Sequence, residues 1–280
     1  MKSFRTLFLI AFLVPLAATA GCTIQIDERS LIRPVPSGPL TAEALARAAP
    51  GLRLEPHTIT ASDGTALAAV LLRSPGADLT ILYFGGNQFT VGRFGAGTAH
   101  LMAPLKVNLM LVDYRGYGVS AGAPTAARLM TDGLDVYDHL ARLPGVGRIV
   151  VHGQSLGSFV AGNVAAERTT AGVVLESTVT TTEDWVRSQA GGMRVAVAPA
   201  LAGLGNRRNI ARIEEPLLIL VGARDTTTPP ALSEALYRQS PLPPGRKMLS
   251  IIPGAGHDGV LVQPAAREAY RAFLGSLRSS

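Results

Sequence analysis

The chain has 280 residues, 47% of them apolar and 16% charged, which is enough for a sizeable core and argues against general disorder. The net charge is +6, from 26 basic and 20 acidic residues, but no basic run or aromatic-interleaved stripe appears, so nucleic acid is not expected as a partner. The single cysteine, Cys22, excludes an internal disulfide framework and a cysteine-based metal site.

Lys2 and Arg5 open the chain, and no further charge follows before Asp27. The apolar stretch at residues 6–20, interrupted by Pro15, reads as a signal-peptide core. It ends in Ala18-Thr19-Ala20-Gly21-Cys22, small residues directly before a cysteine. That pattern resembles the lipobox of bacterial lipoproteins, with Thr19 where leucine is commonest. The resemblance implies a signal peptide at residues 1–21 and a lipid on Cys22. Ordinary cleavage after Ala20 and an uncleaved anchor are the alternatives, since the uncharged stretch is barely long enough to span a bilayer. All three place the body of the protein outside the cytoplasm, and lipidation would hold it to a membrane of the bacterial cell envelope.

Residues 22–55 hold Pro34, Pro36, Pro39 and Pro50 between short polar stretches. They are expected as a tether, or as a segment lying on the domain surface, with a short helix at residues 41–49. A domain follows at residues 56–280. Short apolar runs rich in Val, Ile and Leu lie at residues 57–62, 66–73, 79–84, 107–112, 148–152, 172–175, 216–221 and 247–252. Helix candidates lie between them at residues 94–105, 126–142, 156–168, 231–239 and 264–277. Continuous apolar runs bounded by turns suit strands buried on both faces, hence a largely parallel sheet. The first two runs, joined through Asp63-Gly64, suit an antiparallel hairpin. The expected class is therefore α/β, one mostly parallel sheet of about eight strands with helices on both faces. The long interval between Glu176 and Pro216 breaks the rhythm, and is either a short lid at residues 178–212 or a crossover helix with a long loop.

G-x-S-x-G occurs twice, at Gly118–Gly122 around Ser120 and at Gly153–Gly157 around Ser155. A serine nucleophile of this type needs a tight turn from strand to helix, with glycines flanking it because the turn crowds its neighbours. Ser155 has that setting. The run at residues 148–152 precedes it directly, and Leu156, Phe159, Val160 and Val164 follow at helical spacing. Ser120 lies well after its strand, with Pro124 interrupting any helix, and reads as a loop serine.

A serine hydroxyl also needs a base, normally a histidine oriented by a carboxylate. Of five histidines, His257 alone sits in a glycine-rich loop, Gly254-Ala255-Gly256-His257-Asp258-Gly259, directly after the last run. His57, His100, His139 and His152 fall on strands or helix faces. Asp225, just after the run at residues 216–221, is the expected orienting acid, with Glu176 and then Asp258 as alternatives. The oxyanion of an acyl-transfer intermediate needs fixed donors. Here they are the backbone N–H of Leu156 and one from Gly85-Gly86-Asn87-Gln88, with Asn87 first and Gln88 second.

Taken together, these motifs resemble the α/β-hydrolase-fold serine hydrolases, over about residues 56–280. The narrower similarity is to the branch with lysophospholipase-like, depalmitoylase-like and peptidase-related members. It is carried by Asp113-Tyr114-Arg115-Gly116-Tyr117-Gly118, by Glu176-Ser177-Thr178, by Asp225 in G-x-x-D-x-x-x-P, and by Gly254-Ala255-Gly256-His257. Gly85 stands where that family often has histidine, while Asn87 is retained. The resemblance implies an α/β-hydrolase fold with Ser155, Asp225 and His257 as catalytic triad, and a loop-scaffold role for the segment from Asp113.

It further implies hydrolysis of an ester, thioester or lipid acyl bond, without metal or organic cofactor. A serine peptidase and a non-catalytic envelope protein using the same fold for binding are the competing readings. A haloalkane- or epoxide-type hydrolase is disfavoured, because it usually needs aspartate where Ser155 stands.

Overall fold

Strands buried on both faces must be covered by helices on both sides, and the computed structural model, which describes residues 23–278, has that arrangement. Its elements begin with β1 (Ile24–Ile26), α1 (Glu28–Leu31), α2 (Ala42–Ala48), β2 (Arg53–Thr60), β3 (Ala66–Arg73) and β4 (Leu79–Phe84). They continue with α3 (Val91–Met102), β5 (Asn108–Val112), α4 (Ala126–Ala141), β6 (Arg148–Gln154), α5 (Leu156–Glu167) and β7 (Gly172–Glu176). Next come α6 (Thr182–Gln189), β8 (Val195–Val197), α7 (Arg207–Ile210) and β9 (Leu217–Gly222). Finally α8 (Pro230–Gln239), β10 (Lys247–Ile252) and α9 (Pro264–Arg278) close the chain. Cys22 and residues 1–21, expected as a signal peptide, lie outside the described residues.

Eight strands form one sheet in the order β10-β9-β7-β6-β4-β5-β3-β2. β2 and β3 are an antiparallel hairpin, β3 runs antiparallel to β5, and the remaining pairs are parallel. β4, β5, β7 and β9 are buried along their whole length, which is why their sequences show no alternation. One face carries α4, α5 and α8, whose Leu129, Val136, Val160, Val164 and Leu236 pack on the sheet. The other carries α3 and α9, through Ala99, Met102, Tyr270, Phe273 and Leu277.

Two places depart from the sequence reading. β2 starts at Arg53 and runs through Pro56, earlier than the apolar run suggests. It is an edge strand, and a proline is tolerated where its missing N–H would have faced away from the sheet. The segment expected as a tether is part of the folded body from β1 onward. Ile32 is buried with one core, and Leu40, Leu45 and Ala49 with the other. Leu45 is the buried residue of α2, and Ala49, the residue that caps its carboxyl end, donates its N–H to Leu45 O. The interval between β7 and β9 holds α6, β8 and α7, and β8 pairs in parallel with β1 as a separate two-stranded sheet.

Candidate active site

The turn between β6 and α5 carries Ser155 at φ 52° and ψ −116°, in left-handed space that a side chain rarely adopts. Its neighbours dictate the glycines. A Cβ on Gly153 would strike the Gly157 carbonyl, and one on Gly157 would strike the Phe84 carbonyl at the end of β4. The strained turn is held from both sides. Ser155 N donates to Glu176 O at 2.8 Å, and Ser158 N and Oγ both donate to Ser155 O, at 2.9 and 2.6 Å.

The structure brings Ser155, His257 and Asp225 together from the ends of β6, β10 and β9. His257 Nδ1 lies 2.9 and 3.1 Å from the two Asp225 carboxylate oxygens, and Nε2 lies 3.0 Å from Ser155 Oγ. An ionised carboxylate only accepts, so Nδ1 carries the proton and Nε2 is left to accept from the serine hydroxyl. Asp225 is buried and receives Thr227 N at 3.0 Å, Thr228 N at 2.8 Å and Thr228 Oγ1 at 2.8 Å. Burial pushes its carboxyl upward, but the His257 hydrogen bond and charge with the Thr228 donors outweigh this and hold it below its ordinary value. Burial likewise disfavours the His257 imidazolium, yet Asp225 reverses that and leaves its pKa raised.

The loop after β4 abuts this turn. Gly86 N donates to Gln154 Oε1 at 3.0 Å, and Tyr114 OH donates to Gly85 O at 2.7 Å. Asn87 uses its side chain as a tie. Its Oδ1 accepts from Tyr117 OH at 2.9 Å, Arg33 N at 3.1 Å and Gln88 N at 3.1 Å, while Nδ2 donates to Leu31 O at 2.7 Å. Gln88 N is thereby occupied, which favours Asn87 over Gln88 as the loop's backbone donor. Leu156 opens α5, so its N–H is among those that a helix start leaves without an intrahelical partner.

The segment from Asp113 is a brace. Asp113 accepts from Val91 N at 2.7 Å and Val119 N at 3.1 Å. Arg115 forks onto Asp132 at 2.6 and 2.9 Å and also reaches Asp63 and Thr65. Ser120 Oγ donates to Asp113 O at 2.7 Å and accepts from Ala68 N at 2.8 Å, so its hydroxyl is spent on the loop. Glu176 does not orient His257; it pairs with buried His152 at 3.1 Å, whose other nitrogen faces Tyr270 OH at 3.2 Å. His57 and His139 contact each other, and His100 meets Ala48 O. Among the described residues, no group of three or more His, Cys, Asp or Glu is placed to hold a metal ion, and no helix is long and apolar enough to cross a membrane.

Thr228 is the partner that the sequence reading missed. Asp225-Thr226-Thr227-Thr228-Pro229 offered a signal, because an aspartate before small hydroxyl residues and a proline favours a turn closed by its own side chain. Residues of α6 also join this turn. Trp185 Nε1 donates to Thr227 O at 2.7 Å, and Gln189 Nε2 to Thr226 O at 3.1 Å.

No family model matches the chain. It is 28% identical over 223 residues to human alpha/beta hydrolase domain-containing protein 17B, covering 76% of this chain and 72% of that one. Among solved structures it is similar to an esterase from Pyrococcus furiosus, with a TM-score of 0.69 and 18% identity, covering 89% of this chain and 98% of that one. It is also similar to Est1E from Butyrivibrio proteoclasticus with ferulic acid bound, with a TM-score of 0.66 and 20% identity over 80% of this chain and all of that one (100%). The eight-stranded, mostly parallel sheet with helices on both faces is the α/β-hydrolase fold.

Proposed function

We propose that this chain is a serine hydrolase that cleaves an ester, thioester or lipid acyl bond through an acyl-enzyme, and that it works in a bacterial cell envelope on a lipid anchor at Cys22. The observation that carries the chemistry is the hydrogen-bonded series Ser155–His257–Asp225 with the serine on a strained strand-to-helix turn. The resemblance to an α/β-hydrolase-domain protein and the esterase names among the structural neighbours support the reaction class.

In this reading Ser155 Oγ attacks the acyl carbon while His257 Nε2 takes its proton. The carbonyl oxygen becomes an oxyanion held by the N–H groups of Leu156 and Asn87, and Asp225 stabilises the imidazolium. His257 then protonates the departing alcohol or thiol as the tetrahedral centre collapses. Water, deprotonated by the same imidazole, attacks the acyl-serine; the acid leaves and Ser155 recovers its proton. The segment at residues 178–212 would act as a lid, since α6 is fastened to the turn that carries Asp225.

Fluorophosphonate labelling of wild type, Ser155→Ala and Ser120→Ala tests the reading. Label is expected on wild type and on Ser120→Ala only. Label persisting on Ser155→Ala would overturn the assignment of the nucleophile, and an unlabelled wild type would favour a binding role for the fold. Incorporation of radiolabelled fatty acid into wild type but not Cys22→Ser tests the anchor.

A further inference from the structure

Residues 24–38 follow a path that the triad itself does not require. Ile24 N donates to Arg194 O at 2.9 Å and Ala198 N to Ile26 O at 2.8 Å, fixing β1 along β8 in the lid segment. Glu28 Oε1 then accepts from Ala126 N at 2.7 Å at the start of α4. Leu31 O and Arg33 N clasp the side chain of Asn87 at 2.7 and 3.1 Å. Gly118 N donates to Val35 O at 2.9 Å, and Ser37 N donates back to Gly118 O at 3.3 Å. These partners lie on the segments after β7, β5 and β4, which all leave the sheet at its carboxyl edge. The N-terminal segment is therefore a strap along the edge that holds Ser155, joining lid to oxyanion loop.

Cys22 precedes Ile24 by two residues, and two residues of chain reach at most about 7 Å. A lipid on Cys22 must therefore emerge beside β1 and β8, at this edge, whatever conformation the intervening residue takes. The apolar surface agrees. Besides Met248 and Ile251 on the edge strand β10, the exposed large apolar residues among the described ones are Phe94, Val119, Met193 and Val262, at 41%, 50%, 51% and 55%. They lie in the first turn of α3 after β4, after β5, before β8 and after β10, all on segments that leave the carboxyl ends of strands. Large side chains left in water on one edge, next to the point where the chain enters from its anchor, suit the acyl boundary of a bilayer.

We infer that the strap seats the carboxyl edge of the sheet on the surface of the membrane that holds the anchor, so that Ser155 faces acyl groups presented by that bilayer. This rests on the lipid-anchor reading of Cys22. The partner is the lipid surface itself, and the lid segment is tied to the strap through β1 and β8 and to the Asp225 turn through α6.

The test uses the full lipidated chain in vesicles of phosphatidylethanolamine and phosphatidylglycerol that contain a doxyl-labelled lipid. Single cysteines at Val119→Cys, Met193→Cys and Val262→Cys carry an environment-sensitive fluorophore, with Met248→Cys at the opposite end of the sheet as the matched exposed control. Quenching at the three edge positions is expected to exceed that at the control by roughly twofold or more. Equal quenching at all four overturns the orientation. The double variant Val119→Asp/Met193→Asp is expected to lower hydrolysis of a vesicle-borne ester about fivefold relative to a soluble ester. An unchanged ratio also overturns the orientation. Fatty-acid labelling of the same preparations separates the two readings. Absence of label overturns the anchor, whereas label with equal quenching overturns the seating alone.

Discussion

Ser120 and Ser155 occupy the centre of the same five-residue glycine spacing, one in the loop after β5 and the other between β6 and α5. The hydroxyl of Ser120 both donates and accepts within the protein, to Asp113 O and from Ala68 N, and so closes a loop. Among the described residues the hydroxyl of Ser155 meets only the imidazole of His257, and its backbone sits at φ 52°. What separates them is the preceding strand. β6 ends at Gln154 and delivers Ser155 directly to the carboxyl edge, where β9 and β10 deliver Asp225 and His257. The chain has already turned away from β5 through a brace by the time it reaches Ser120. The glycine spacing permits a tight turn in both places; only one of them also has a base.

The largest effect that could break this comparison is on catalysis by Ser155→Ala. Ester hydrolysis, followed as kcat/KM on a soluble activated ester, is expected to fall by about 10⁴-fold or more, because the acyl-enzyme can no longer form. An equal fall in Ser120→Ala would mean that the two serines are not distinct in kind. Asp225→Asn is expected to cost about 10³–10⁴-fold with Ser155 and His257 still in place, since the amide no longer fixes the proton on Nδ1. A loss below tenfold would point to Glu176 as the acting carboxylate, despite its pairing with His152.

The pH profile sharpens the contrast further. Burial lowers the pKa of His257 and Asp225 more than compensates, so the folded value lies above the ordinary 6.5. Only the neutral imidazole can take the serine proton, so kcat/KM should rise with pH through an inflection above 6.5. In Asp225→Asn, burial is left without its compensation, and the inflection should move to lower pH. The stability consequence has the opposite direction. A raised folded pKa means that protonated His257 contributes stability below its unfolded value, and that this is lost as pH rises through the folded one. The difference in Tm between wild type and Asp225→Asn should therefore narrow on the alkaline side of that inflection. An inflection below 6.5 in wild type would contradict the Asp225 contact as the dominant influence.

Much of the fold was legible because buried parallel strands leave uninterrupted Val, Ile and Leu runs. Seven of the eight expected runs agree with the observed strands to within two residues at both ends, and Ser155, Asp225 and His257 were readable from their places just past three of them. The exception at its amino end, β2, begins four residues before the expected 57, since Pro56 disguises an edge strand. What was illegible depends on contacts between residues remote in the chain. β1 has three residues, too few to show a period, and its partner β8 lies in the interval after β7. Asn87 was expected for its backbone, whereas its side chain is tied to Tyr117, Leu31 and Arg33, none of which is near it in sequence. The choice between a tether and a segment lying on the domain was hidden for the same reason. Leu40 and Leu45 are isolated apolar residues in a proline-rich segment, and only the tertiary core shows what they cover.

The smallest effect belongs to Ser120→Ala, and its size tests whether that serine is only a loop fastener. Removal of the hydroxyl leaves Ala68 N without its acceptor and takes one donor from Asp113 O, both in partly buried surroundings. Such losses cost about 1–3 kcal/mol when no replacement partner is found. Because water can reach a part-buried loop, a value near the lower end, about 1 kcal/mol, is expected from urea unfolding with an unchanged m-value. Catalysis and fluorophosphonate label should stay close to wild type, since Asp113 and Arg115 keep the brace through Val91, Val119 and Asp132. A stable Ser120→Ala protein with impaired turnover would instead tie this loop to the oxyanion side. The route would run through Tyr114 and Tyr117, which hold Gly85 and Asn87.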